Sequence, residues 1–151
     1  MPEQNQIQIQ FSISDIQTLE FALTNTPEIS AVEKMKFPFK IDAGYFFETD
    51  KKNVVIDVKI DISLNDSPES VVCHLLCRFK YFINNFDEAF TVKDGQITYP
   101  AQFLTTLLSI SLSTARGILV TKTESTNLRG IYMPVVDPSK LQLFPNPPPH
   151  K

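Results

Sequence analysis

The chain has 151 residues, of which 42% are hydrophobic and 21% are charged, and its net charge is −3 at neutral pH. This length suits one domain with its own core and is short for two. The charges are dispersed and form no basic stripe, which argues against nucleic acid or anionic lipid as a partner. The N-terminal segment is polar and alternating, unlike a secretory signal, so we expect a cytoplasmic protein.

Four stretches alternate apolar and polar residues, which is the pattern of half-buried antiparallel strands. They cover residues 7–23, 37–47, 54–64 and 71–81. In the first stretch the alternation slips near Asp15 and Ile16, which predicts a β-bulge there. Connections 49–53 and 65–68 are rich in turn-forming residues and predict hairpins, whereas the longer connection 25–33 is expected to cross the sheet.

Two cysteines flank a histidine in the fourth stretch. Cys73 and Cys77 would lie about 13 Å apart on one face of a strand, too far for a disulfide or a shared metal ion. We therefore predict buried thiols and no metal site. His74 lies between them and is expected to face outward or to pair with a side chain of a neighbouring strand.

Signatures of catalysis are missing from the sequence. There is no phosphate-binding glycine loop, no nucleophile elbow and no His-Glu-x-x-His helix. Apart from the terminal His150, only His74 has a side chain suited to act as a base at neutral pH, and as partner of a nucleophile it is the alternative to a structural histidine. We expect no catalytic residue, no cofactor and no enzyme activity.

Between Asp94 and Arg116 no side chain is charged, and residues 96–115 are predicted to form one long helix. Thr98 suits the N-cap, and Pro100 suits the first turn, where its missing N–H is not needed. Apolar side chains recur at about 100° per residue and form a broad arc. The arc consists of Phe103, Leu104, Leu107, Leu108, Ile110, Leu112, Ala115, Ile118 and Leu119.

The opposite arc of this helix is built from short hydroxyl side chains. It holds Thr105, Thr106, Ser109 and Ser113, with Arg116 following. A surface helix normally carries charge on its solvent side, so a neutral arc predicts contact with a second subunit. The alternative is a core helix of a larger monomer fold. A membrane span is not expected, because Pro100, Gln102 and the Ser and Thr residues interrupt the apolar run of about 18 residues that it requires.

Phenylalanines exceed what a four-stranded sheet needs. Phe82, Phe86 and Phe90 follow the fourth stretch at a spacing of four residues, and Phe46 lies on the wrong face of the second stretch for the core. Together with Phe103 they are the candidate peptide-binding residues, because burial of apolar area, at about 25 cal/mol per Å², binds chains of many sequences. The alternative for Phe82, Phe86 and Phe90 is a small core cluster under a loop.

Taken in order along the chain, four segments resemble the SecB family of export chaperones. Residues 8–16 look like its first strand, 97–109 resemble its Phe-Pro-Tyr-Ala-Arg entry into a long helix, 113–117 are similar to its Arg-Gly helix end, and 131–141 look like its Leu-x-Leu-x-Pro-Val-Asn-Phe segment. The resemblance covers the chain up to about Leu141. It rests on the order and spacing of these segments.

The resemblance implies an α+β fold, with a four-stranded antiparallel sheet and one long helix packed on one of its faces. It also implies subunits that pair into an eight-stranded sheet and join through their long helices as a dimer of dimers. Unfolded polypeptide would bind in grooves between sheet and helix, without ATP. We expect residues 1–143 to form this single domain and residues 144–151 to be a proline-rich, polyproline-like or disordered tail.

Departures from the family bear on its partner SecA. In the SecB family, SecA docks on an acidic surface of the sheet. In this sequence Glu20 matches that surface, whereas Thr24 and Leu75, which lie near the family's other acidic positions, are uncharged. The family's acidic tail, which binds a zinc domain, is also missing. SecA is therefore a doubtful partner. The predicted function is a SecB-like holdase for unfolded or extended polypeptide in protein export. The alternative is an adaptor dedicated to one protein, for example a SecB-like chaperone associated with a toxin–antitoxin pair.

Overall fold

The computed structural model describes residues 8–24, 26, 30, 37–65, 68–100 and 102–145. The strands are β1 (Phe11–Leu23), β2 (Phe39–Glu48), β3 (Asn53–Ser63), β4 (Val71–Ile83), β5 (Thr91–Lys93), β6 (Gln96–Thr98) and β7 (Leu143–Pro145). The helices are α1 (Phe86–Ala89) and the long helix α2 (Phe103–Thr123). Short 3-10 turns occur at Thr49–Lys51, Pro68–Ser70 and Pro138–Lys140.

The main sheet has five strands in the order β1-β4-β3-β2-β7, and β5 pairs with β6 in a separate hairpin. Strands β1 to β4 are antiparallel to their neighbours, whereas β7 runs parallel to β2. The α+β fold with one long helix is as predicted. The prediction of a four-stranded antiparallel sheet is wrong, because Leu143–Pro145 pairs with the open edge of β2 and makes the sheet mixed.

The edge strand β1 contains two irregularities. Its register with β4 shifts between Ile13 and Asp15, where a bulge is predicted, and again between Thr18 and Glu20. Each bulge inserts one residue and so restores the face on which the following apolar side chains lie. The connection from β1 to β2 passes two intervening strands, as predicted for residues 25–33, but most of that segment lies outside the described residues.

The core lies between the central strands and α2. The side chains of β3 and β4 that face the helix are completely buried; they include Val54, Ile56, Val58, Ile60, Ile62, Leu75, Cys77, Phe79 and Tyr81. Full burial of one aliphatic side chain contributes about 1.5–3 kcal/mol. The contact between sheet and helix therefore dominates the stability of the fold.

The long helix begins at Phe103, later than predicted. Residues Gln96–Thr98 form a strand, because Asp94 (φ 53°) and Gly95 (φ 76°) make the tight turn of a hairpin with β5. Positive φ at both central residues matches the twist of the two strands. The expected N-cap, Thr98, therefore ends β6, and the charge-free stretch is divided between a strand and a helix.

The apolar arc of α2 packs on the sheet as predicted. Its buried residues are Phe103, Leu104, Leu107, Leu108, Ser111, Leu112, Ala115, Leu119 and Thr123. Ser111 is accommodated in the core because its hydroxyl donates to the Leu107 carbonyl at 2.8 Å and lies 2.7 Å from the Tyr81 hydroxyl. By length and apolar composition α2 also passes the test for a membrane span, but core helices pass the same test, and 44% of its most apolar window is buried.

Both cysteines are buried free thiols, as predicted. Burial, and secondarily the negative charge of Asp61, raises the pKa of Cys73 to about 11. Burial also raises the pKa of Cys77. Both residues are therefore protonated core side chains at neutral pH.

Candidate functional site

Aromatic side chains gather where the end of β2, α1 and the start of α2 meet. Phe90 is at the centre: its ring stacks on Phe86 at 4.8 Å between centroids and meets Phe103 edge-on at 5.3 Å. These three residues are 4–5% exposed and belong to the core. Offset-stacked and edge-on geometries are the favourable ones for aromatic pairs. The three rings thus form a rigid, buried base.

Three half-buried rings lie on top of this base, and we call Tyr45, Phe47 and Tyr99 the aromatic rim. Phe47 is 5.8 Å from Tyr45 and 5.4 Å from Tyr99, centroid to centroid, and 6.1 Å from buried Phe90. Burial, followed by a hydrogen bond with Tyr45, raises the pKa of Tyr99. The rim therefore offers partly exposed apolar area that is held in place from below.

The rim was not among the predicted site residues. The alternation of β2 places Tyr45 and Phe47 on the same face, but it does not reveal which of them the helix leaves uncovered. The sequence predicts Tyr99 in the first turn of the helix, whereas in the structure it follows β6 and packs against Phe47. The Asp94-Gly95 turn was the signal that could have placed it.

The phenylalanines predicted to bind peptide do not share one surface. Phe86, Phe90 and Phe103 lie together beneath the rim, so the alternative of a core cluster describes Phe86 and Phe90 in the single chain. Phe46 and Phe82 lie on the outer face of the sheet, the face turned away from α2. Phe46 is 6% exposed under Arg78, whose Cζ is 5.2 Å from the ring centroid, while Phe82 is 38% exposed. A peptide-binding role for each stays a prediction.

The outward face of α2 is uncharged, as the sequence indicates. Thr106, Ser109 and Ser113 are exposed, and Thr105 is half-buried. The Thr106 hydroxyl donates to the Gln102 carbonyl at 3.1 Å, so the helix itself satisfies that donor. This bonding makes the face less polar than its composition suggests. The role of these residues as a subunit interface stays a prediction.

Arg116, also predicted at that interface, has a different position. It is half-buried, and its guanidinium donates to the carbonyls of Met133 and Pro134, each at 3.3 Å. It therefore holds the extended segment 131–137 against the helix. These bonds satisfy two carbonyls of a segment that has no strand partner among the described residues.

A second apolar surface, which sequence reasoning missed, lies along β1. Ile13, Ile16, Leu19 and Phe21 are 36–47% exposed. The alternation predicts that this stretch faces the core, but α2 packs mainly over β3 and β4 and leaves these four side chains partly exposed. At one end, the Lys122 ammonium lies 5.0 Å from the centroid of the Phe21 ring. We call these four residues the β1 row; the far edge of β1 has no strand neighbour within the described ranges.

The outer face of the sheet carries a row of ion pairs. Arg78 donates two hydrogen bonds to Asp57, at 2.8 and 2.9 Å. His74 lies between Asp61 at 2.5 Å and Glu20 at 2.7 Å. Hydrogen bonding to Asp61 first, and then to Glu20, raises the pKa of His74 despite partial burial. The cross-strand pairing predicted for His74 is therefore present, and these ion pairs tie β1, β3 and β4 together.

The polar side chains of this row are bonded to one another. Both ring nitrogens of His74 are engaged by carboxylates, and the carboxylate of Asp57 faces a guanidinium. Among the described residues there is no group of three or more His, Cys, Asp or Glu side chains that could hold a metal ion. The arrangement is that of a structural network.

Comparisons with known proteins place the fold. No family model and no curated protein matches the sequence. Among solved structures, the SecB-like chaperone Rv1957 of Mycobacterium tuberculosis, in complex with a ChAD peptide from the Rv1956 HigA1 antitoxin, matches with a TM-score of 0.57 and 11% identity over 83% of this chain and 89% of that one. A protein of unknown function from Streptococcus agalactiae matches with a TM-score of 0.39 and 10% identity, over 78% and 90% of the two chains. The first likeness shows a SecB-like fold, and the second is too weak to argue from.

Proposed function

We propose that this chain is a SecB-like chaperone or adaptor that binds extended polypeptide on the aromatic rim. The observation that carries the proposal is the rim itself: Tyr45, Phe47 and Tyr99 are half-buried, adjacent, and supported by a buried aromatic base. Apolar side chains of a client that cover these rings gain about 25 cal/mol per Å². Such binding needs no particular sequence, no ATP and no cofactor.

The fold neighbour supports a polypeptide partner. Rv1957 is described as a SecB-like chaperone, and its structure holds a peptide from an antitoxin. A protein with the same fold can therefore serve as a peptide-binding scaffold. We extend that role to this chain because its own rim has the chemistry that extended apolar peptides require.

We further propose that the protein is a cytoplasmic homo-oligomer, a dimer of dimers as in the SecB family. Two surfaces support this: the uncharged outward face of α2 and the β1 row, whose apolar side chains flank a strand edge that has no partner strand within the described residues. Contiguous exposed apolar surface and open strand edges are typical of protein contacts. Neither nucleic acid nor membrane insertion is part of the proposal.

The test of chaperone function is suppression of aggregation. Citrate synthase unfolded in guanidinium is diluted into buffer with and without the protein, and light scattering is followed. We expect scattering to fall as the protein approaches excess over citrate synthase, and Tyr99→Ala to weaken this effect. The matched control is Tyr132→Ala, which removes an exposed tyrosine of segment 131–137, outside the aromatic rim. Unchanged aggregation at excess protein would contradict the proposal.

A second candidate is an adaptor that serves one dedicated protein partner, in export or in a toxin–antitoxin pair. The observation that favours it concerns Glu20, the acidic residue of this sequence that matches the SecA-docking surface of the SecB family. Its carboxylate bonds His74 at 2.7 Å and so serves the ion-pair row, which makes SecA a doubtful partner. Affinity isolation from the native host decides between the two: one stoichiometric partner indicates an adaptor, and many substoichiometric clients indicate a general holdase.

A further inference from the structure

The C-terminal strand β7 occupies part of the β2 edge, directly beside the aromatic rim. It has three residues, whereas β2 has ten. Its register pairs Leu143 with Ala43 and Pro145 with Tyr45, so β7 ends level with the first ring of the rim. Beyond that point β2 continues to Glu48 with no other strand on this edge in the described part of the chain.

The contacts of β7 are few for a strand. Its last residue is a proline, which lacks the N–H that a strand partner would bond. Leu143 is only half-buried, and Phe144 on the opposite face is 48% exposed. A short parallel strand at the edge of a sheet is therefore held by few backbone bonds and little buried area.

The segment that precedes β7 is, in contrast, anchored independently. Arg116 bonds the carbonyls of Met133 and Pro134, and the Asp137 carboxylate accepts hydrogen bonds from the backbone N–H of Ser139 at 3.0 Å and from its hydroxyl at 2.6 Å. The chain is thus fixed to α2 at Met133 and Pro134, and the turn Pro138–Lys140, which also contacts α2, is closed by its own hydrogen bonds. Strand β7 can leave the sheet by rotation around residues 141–142 while this anchor stays in place.

We propose that β7 is a displaceable strand, and that an extended client segment with apolar residues at alternate positions pairs with the β2 edge in its place. The proposal rests on the proposed function and adds where the client backbone binds. Strand addition supplies backbone hydrogen bonds to any sequence, and alternate side chains then point to one face. On the inner face those side chains cover Tyr45 and Phe47. The full edge of β2 takes a longer segment than β7 itself.

The outer face next to β7 fits the same occupant. Gly44 pairs with Phe144, and both residues line an open surface cavity of about 360 Å³. The cavity is lined by Asp42, Ala43, Gly44, Asp57, Lys59, Leu76 and Phe144. Phe144 shows that an outward aromatic side chain is tolerated at this register. A client strand can therefore place one large side chain outward and its alternating neighbours on the rim.

The test locks β7 in place with a disulfide. Gly44→Cys combined with Phe144→Cys joins two residues that are directly paired, and paired residues on neighbouring strands lie about 5 Å apart, within the range of a disulfide. The probe is fluorescein-labelled, reduced and carboxymethylated lactalbumin, which cannot fold, and anisotropy measures its binding. We expect the oxidised protein to bind at least tenfold more weakly than the same protein after reduction.

Two further variants make the result specific. Phe144→Cys alone controls for redox effects of the native cysteines and is expected to bind equally with and without reductant. Leu143→Ser weakens the inward anchor of β7 and is expected to tighten probe binding severalfold, whereas Lys140→Ser, at an exposed position in the anchored turn, leaves it unchanged. Equal binding by the oxidised and reduced double variant overturns the displacement of β7 while leaving the proposed function intact. If the unaltered protein does not bind the probe at all, the proposed function itself fails.

Discussion

Placing a carboxylate on the neutral face of α2 should separate the subunits without unfolding them. Ser113 is exposed in the single chain, and Glu is at least as good a helix former as Ser. Surface substitutions of this kind change stability by about 0.5 kcal/mol or less. Ser113→Glu should therefore leave the melting temperature of the folded chain nearly unchanged.

The cost arises only in the assembly. Thr106, Ser109, Gly117 and Val120, the outward neighbours of position 113, carry no charge, and the guanidinium of Arg116, one helical turn further on, is held by the carbonyls of Met133 and Pro134. In a two-fold helix contact each substitution occurs twice, and burying an unpaired carboxylate costs several kcal/mol per ion. With a total penalty of at least about 4 kcal/mol, the dissociation constant should rise by roughly a thousandfold or more.

Sedimentation velocity across a concentration series measures this effect, with circular dichroism melting as the check on folding. The matched control is Thr91→Glu, which adds the same charge at an exposed position of β5, away from α2. We expect Ser113→Glu to give smaller, folded units and Thr91→Glu to sediment like the unaltered protein. If Ser113→Glu sediments like the unaltered protein, or if the unaltered protein is already a monomer, the reasoning about this face is refuted.

Three predictions concern the single chain, and urea unfolding checks each. Arg78→Ala leaves the nearly buried Asp57 without its guanidinium partner and should lower the free energy of unfolding by about 3–5 kcal/mol. Lys59→Ala removes a side chain that is 43% exposed and should lower it by less than about 1 kcal/mol. Equal losses in the two variants would contradict this prediction. Because the pKa of His74 is raised in the folded state, its contribution to stability is complete below its ordinary pKa of about 6.5 and is lost as pH rises through the higher folded value. His74→Gln should remove that part of the pH dependence of stability. If the variant and the unaltered protein show the same dependence of unfolding free energy on pH, this prediction is wrong. Leu107→Ala, at a fully buried position of the helix, should cost about 2–5 kcal/mol, and a cost below about 1 kcal/mol would mean that α2 does not pack on the sheet as described.

The four long strands could be predicted because burial decides which face each residue takes. A slip of one residue in β3 would move Ile56, Ile60 and their neighbours to the outer face and turn the charged side chains between them into the core, so apolar and polar residues alternate from Ile56 to Leu64. The same logic indicated the first bulge near Asp15. The second bulge, between Thr18 and Glu20, has no clear signal in the alternation, although it turns the Glu20 carboxylate towards His74.

The fifth strand was beyond sequence reasoning for a physical reason. Leu143–Pro145 is too short to show a period, and Pro145 with the prolines that follow it in the sequence predicts an unstructured tail. Its pairing depends on the free edge of β2, which is a property of the assembled sheet. The hairpin at Asp94-Gly95 is different, because that dipeptide is a strong local turn signal and was outweighed by the long uncharged run that follows it.

The candidate site was predicted only in its chemistry. An excess of aromatic residues indicated an apolar binding surface, but exposure is set by what α2 covers. Packing of α1 and α2 buries Phe86, Phe90 and Phe103 but leaves Tyr45 and Phe47 half-buried. Which rings are covered depends on where the helix packs in the folded protein, and the alternation of residues within a single strand does not predict that position.

The central claim is that extended polypeptide binds on the aromatic rim, and site-specific photocrosslinking tests it most directly. Benzoylphenylalanine is placed at Tyr99 in one variant and at Phe82, on the outer face, in another, and each is irradiated with fluorescein-labelled, carboxymethylated lactalbumin. We expect a strong crosslink from position 99 and little from position 82. A crosslink from position 82 without one from position 99 would contradict the account.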